Sequence, residues 1–362
     1  MIEKATTSSA DNWQRRYDID WLRTMAMGLL IIFHVVVSFQ PWAHTILIIQ
    51  NEHSLKELWI IISMINIWRI PILFMISGMG VRFAMERRDW KQLLKDRTVR
   101  ILLPFLFGFF FICPISIYLG MKYYGKQAAY IPNAGHLWFL VNIFLYVLCL
   151  LPLLVYLKHH PDNIVLRLLS RMFRHPGALY SAALAIMVEV WLLDPNYFTY
   201  YIQTPHGFWL GMVCFAVGFI FISLQDVFWQ AVEGVRRSAL ALAFLFYMVR
   251  LVVFKLQVVP NTMIAFESMC WMLAILGYGS LYLNKPSHSL NYFSKAVYPV
   301  YIIHLPVQFC ISYFLLPQPL PVILKLIFLL AGTFSVSLLM YHYVIRRLKW
   351  IRPMFGMKLS YS

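Results

Sequence analysis

Ten stretches of about twenty mainly apolar residues divide this chain, the length one α-helix needs to cross a hydrocarbon core of about 30 Å. They run approximately over 20–40, 57–82, 99–120, 135–157, 177–194, 206–224, 238–256, 262–283, 294–316 and 321–344. In lipid every backbone N–H and C=O must be satisfied within the protein, which leaves helices or a closed barrel. A barrel alternates polar and apolar residues in short segments, and these runs do not. The expected fold is therefore all-α, a polytopic transmembrane bundle of ten spans. Charged residues make up 13% of the chain and hydrophobic ones 61%, which excludes an ordinary soluble enzyme and a disordered chain.

The formal charge of +16 would suggest nucleic acid in a soluble protein. Here its location says otherwise. With the N-terminus cytoplasmic, 24 of the 31 Lys and Arg residues fall in inner loops and inner helix ends, from Lys4, Arg15 and Arg16 to Arg346, Arg347, Lys349, Arg352 and Lys358. That bias predicts both termini inside and removes nucleic acid as a partner. The chain then divides into a cytoplasmic segment 1–17, a membrane domain 18–346 and a basic tail 347–362, and it is expected in a bacterial cytoplasmic (inner) membrane. The first span continues through Phe39 into Gln40-Pro41-Trp42 without a small-x-small cleavage site, so it reads as a retained anchor. The five cysteines fall inside spans without a C-x-x-C pair, and neither a disulfide framework nor a metal site is expected. The longest inner loop, 83–98, is short and basic, so any chemistry must use the helices.

Ionisable residues inside lipid are costly and mark functional positions. In the first span His34 follows Arg23 by eleven residues, about 1,100° and about 16–17 Å along a helix, so the two share a face. Asp20 lies within about 40° of it. Taken singly, Arg23 is a snorkelling anchor and His34 a buried histidine bonded to a neighbour. Together they offer a cation at the inner mouth for an anionic group and, deeper, an imidazole that can accept a proton. Their spacing is about that of a phosphopantetheine arm. Arg97 and Arg100, three residues apart at the entry to the third span, can clamp phosphates from another side, or serve as topology signals alone.

These residues resemble the acyltransferase 3 family of integral-membrane O-acyltransferases. The resemblance rests on Asp20-Trp21-Leu22-Arg23, His34, Phe74-Met75-Ile76-Ser77-Gly78, Arg97-x-x-Arg100, His136-Leu137-Trp138-Phe139-Leu140 and the run Tyr298 to Pro306. It covers nearly the whole chain in order. It implies transfer of an acyl group from cytoplasmic acyl-CoA (acetyl-CoA or succinyl-CoA) to a hydroxyl of an envelope glycan or other extracytoplasmic acceptor, with no permanently bound cofactor. Carried over by position, His34 is the catalytic histidine and Arg23, Arg97 and Arg100 form the donor site; Asp20, His136, Trp138 and His304 are supporting positions. Asn142 departs from the Glu-rich motif many members carry after the fourth-span Trp. Trp68-Arg69 ahead of Pro71 is closer to the branch containing glucan biosynthesis protein C, an indication of acceptor class only.

Helix direction places Arg69, Glu189, Arg250 and Glu267 at middle or outer depth, where they can line an acceptor cavity with His34 or pair with one another. The competing expectation is a secondary transporter for an anionic or sugar-linked solute, although no repeated halves with paired broken helices are visible.

Overall fold

The computed structural model describes residues 15–359; Lys4, most of the 1–17 segment and the end of the 347–362 tail lie outside them. Among the described residues the chain is helical throughout, without strands. The principal helices are α1 (Tyr17–Val37), α2 (Leu58–Glu86), α3 (Trp90–Tyr123), α4 (Gly135–His159), α5 (Ile164–Phe173), α6 (Pro176–Leu193), α7 (Pro205–Ser223), α8 (Asp226–Val252), α9 (Asn261–Leu283), α10 (His288–Leu315) and α11 (Val322–Ile345). Among the described residues, nine of these, all but α5 and α8, are long and apolar enough to cross a membrane. The protein is an integral membrane protein.

The seventh expected span differs most. Residues 238–252 are the second half of α8, whose first half carries Asp226, Glu233, Arg236 and Arg237, and the chain turns out of helix before 256, with Lys255 and Leu256 at positive φ. α8 lies antiparallel along α9. Ser280 donates to Glu233 near one end, and Arg250 pairs with Glu267 at 2.9 Å near the other. The contacts lie about seventeen residues apart on α8, about 25 Å of helix, so α8 covers most of the depth of its partner. The stretch 83–98 also differs from a loop. Asp89 opens α3 with a capping box, accepting from Gln92 N at 2.8 Å while Gln92 Oε1 accepts from Asp89 N at 3.3 Å, and α3 continues into the span.

Lipid offers helices no hydrophobic drive to associate, so close backbone packing matters. At the α2–α7 crossing a Cβ on Gly78 would fall 1.9 Å from the Phe215 carbonyl oxygen, and one on Gly218 would fall 2.0 Å from that of Met75. Only hydrogen fits at either position. The Ser77-Gly78 motif thereby gains a packing role, and α2 is held at the centre of the bundle.

Candidate functional site

α10 contains two prolines, Pro299 and Pro306. A proline has no N–H to give the carbonyl four residues back. Pro306 therefore leaves the Ile302 carbonyl open, and His136 fills the gap: its Nε2 lies 3.1 Å from Ile302 O and 3.0 Å from Tyr301 O. His304 Nδ1 lies 2.7 Å from the same Tyr301 carbonyl. Carbonyls only accept, so His136 carries its proton on Nε2 and His304 on Nδ1.

That assignment reaches His34. The remaining nitrogen of His304, Nε2, is an acceptor in the neutral ring, and His34 Nδ1 stands 3.1 Å from it. His34 must donate there, which leaves its own Nε2 with a free lone pair. α10 also holds the backbone behind the ring: Gln308, one turn beyond His304, donates to His34 O at 2.8 Å and to Ser38 Oγ at 3.2 Å. A hydrogen-bonded chain thus runs from the Tyr301 carbonyl through His304 to His34, with His136 against its side at a ring separation of 4.9 Å from His304.

His34, Asn66, Arg69, His136, Tyr201 and Tyr301 line one cavity of about 560 Å³. Trp138 is part of its wall, seated edge-on against Phe74. Residues 46–48, Asn133, Gly135, Thr199 and residues 201–203 line it at the end of the bundle where α1 finishes. Arg69 Nη2 donates to Asn66 Oδ1 at 3.2 Å, and the guanidinium carbon sits 3.9 Å from the Phe33 ring centroid. Tyr201 stands in the connection before α7; burial pushes its phenol well above the ordinary range despite the pull of Arg69, so it remains a neutral donor. Its hydroxyl bonds the carbonyls of Asn66 and Ile67 at 3.3 and 3.2 Å.

The other ionisable residues go elsewhere. Arg250 and Glu267 form a buried pair at 2.9 and 3.1 Å, with Ser63 O and Trp271 Nε1 completing its hydrogen bonds. Glu189 Oε1 lies 2.9 Å from His206 Nδ1, while His206 Nε2 faces Phe198 O. Both groups lie outside the cavity wall. Asn66 and Phe33 were missed in the sequence; Asn66 had a signal, a lone amide three residues before Arg69 and so on its face of α2.

At the opposite end, Arg23, Arg97 and Arg100 converge. Arg100 Nε is 2.9 Å from Asp96 Oδ1, and Arg88 holds the other oxygen at 3.0 Å. Arg97 lies within electrostatic reach of Arg23, Arg88, Asp96 and Arg100, and its Nε has no hydrogen-bond partner. Arg23 sits beside Gly80 and 3.6 Å from Asp20, whose second oxygen is taken by Arg15 at 2.8 Å. The helix widens into a π-turn at Thr98–Leu102, a local geometry frequent at functional sites.

A family model described as an acyltransferase domain matches residues 16–342. No curated protein and no solved structure matches.

Proposed function

The chain belongs to the acyltransferase 3 family and is a membrane acyltransferase, and on that premise we propose that it moves an acetyl or succinyl group from cytoplasmic acyl-CoA to a hydroxyl of an envelope glycan or other extracytoplasmic acceptor. In this reading α8 also crosses, making ten spans in the bacterial inner membrane with both termini on the cytoplasmic side. The antiparallel run of α8 beside α9 and the inner bias of basic residues support that orientation.

One observation carries the reading: His34, a wall of the cavity, keeps a lone pair on Nε2 because its Nδ1–H donates to His304. An alcohol with a pKa far above 7 needs a base as it attacks, and a positioned imidazole contributes about 10²–10⁴-fold. His34 accepts the hydroxyl proton at Nε2 as the oxygen forms its bond to the thioester carbonyl, and the C–S bond breaks to release CoA thiolate, which takes a proton. The positive charge developing on His34 is shared with His304 across the 3.1 Å contact. Arg23, Arg97 and Arg100 supply cations for the CoA phosphates at the other end, and the rise from Arg23 to His34, about 16–17 Å, suits a pantetheine arm between them.

The test is purified full-length protein with labelled acetyl-CoA or succinyl-CoA, following release of CoA in the presence of glycan. His34→Ala protein should bind CoA and form no acylated product. Near-wild-type turnover in that variant ends the assignment.

A further inference from the structure

Arg69 lies in the cavity wall with 2% of its surface exposed. Its Nη2 has a partner in Asn66 Oδ1; its Nε and Nη1 have none. The face of Phe33 contributes a cation–π contact but no negative charge. The buried carboxylates among the described residues are engaged with other groups: Asp18 with Arg16 at 2.7 Å, Glu189 with His206 and Glu267 with Arg250. Tyr201 beside it is a neutral donor whose proton points to backbone carbonyls.

A buried charge left unpaired costs several kcal/mol. The same bundle gives Arg250 a carboxylate and Arg69 none, so the missing negative charge must come with a ligand. A transition-state oxyanion exists too briefly to offset that charge while substrates are bound, whereas a permanent anion offsets it throughout. A single guanidinium among neutral neighbours matches one negative charge, while a phosphate monoester carries nearly two.

We infer that Arg69 is the receptor for a carboxylate borne by one of the two substrates of the reaction. This rests on the acyl-transfer reading of the cavity. The carboxylate has two sources: the free end of a dicarboxylic acyl group such as succinyl, or an acidic sugar in the acceptor. In either case Arg69 selects an acid over its neutral counterpart.

The experiment measures binding to the full chain in nanodiscs for two matched pairs: succinyl-CoA against acetyl-CoA, and a glucuronate-ended oligosaccharide against its glucose-ended analogue. A charge-assisted contact of about 1.5–3 kcal/mol predicts that the acidic member of one pair binds at least about tenfold more tightly. Which pair shows it names the source. Arg69→Gln should erase that ratio and leave the neutral member within about twofold, since it removes one charge-assisted contact, and Arg69→Lys should keep part of it, which separates charge recognition from misfolding. Equal affinities within both pairs, or equal losses for acidic and neutral members in Arg69→Gln, overturn the inference; the latter is the result expected of a group serving only the reacting carbonyl or the fold. His34→Ala should keep the ratio while abolishing transfer. Retained transfer in His34→Ala would remove the acyl-transfer reading, an outcome distinct from loss of the Arg69 ratio.

Discussion

Replacing His304 by Phe keeps a ring of similar bulk on α10 and deletes the acceptor for His34 Nδ1–H. In the resting site that contact joins two neutral rings at 3.1 Å and contributes about 0.5–1.5 kcal/mol. In the transition state His34 becomes an imidazolium, and the same contact becomes charge-assisted, about 1.5–3 kcal/mol in a buried site. Turnover responds to the difference between the two, about 1–1.5 kcal/mol, and at 1.36 kcal/mol per tenfold that predicts a kcat loss of about five- to tenfold. KM for acyl-CoA should hold, because the cations proposed to meet its phosphates stand about three helical turns away along α1. His304→Gln places a carbonyl oxygen near the position of Nε2 and should recover most of the loss. The assay is steady-state CoA release in nanodiscs with the donor that supports turnover, run for wild type, His304→Phe and His304→Gln. A kcat within about twofold of wild type in His304→Phe is less than that difference should cost, and would refute the orienting chain. So would a Gln variant no better than Phe, since a structural role for the ring predicts the opposite order.

Arg97→Ala and Arg100→Ala should each raise KM for acyl-CoA by about tenfold or more, one charge-assisted phosphate contact, with a smaller effect on kcat; unchanged donor affinity in both reduces the two arginines to orientation signals. Pro306→Ala is the more unusual case, because it restores a good helix former and an N–H for the Ile302 carbonyl, and should stabilise α10 while loosening His136. Thermal unfolding should show unchanged or raised stability and CoA release a lower kcat; equal or higher activity would show that the freed carbonyl does not organise the histidines.

Much of the site was legible because histidine and arginine are rare in apolar helices. His34, His136, His304 and Arg69 stood out in four different apolar runs, and the fold brings His34, His136 and Arg69 to one cavity with His304 bonded to His34. The same criterion also selected Glu189, Arg250 and Glu267, whose partners come from other parts of the chain. Helical spacing says which face of its own helix Arg250 occupies; it cannot say that this face meets Glu267 across a hairpin. The seventh expected span, 238–256, begins twelve residues into its helix for a similar reason: Glu233 has its partner in Ser280 on the neighbouring helix, which no spacing along its own helix reveals. Residues 46–48, Thr199 and residues 201–203 wall the cavity from short connecting segments, where no long period exists to place them.

The choice of histidine rather than a carboxylate at position 304 follows from the same electrostatics as the open arginine. A carboxylate beside His34 Nδ1 would orient the ring equally well and would hold the imidazolium more strongly. It would also stand near Arg69, which lies within electrostatic reach of both His34 and His304. At that range a buried carboxylate and guanidinium would pair with each other, drawing the acceptor from His34 and closing the cation to any ligand. A neutral imidazole, its proton fixed by a backbone carbonyl that cannot ionise, orients the base without competing for the charge. The histidine chain and the unpaired guanidinium are therefore mutually dependent: His304→Asp, which keeps an acceptor near His34, should impair the site more than His304→Gln does, because the new charge would be spent on Arg69.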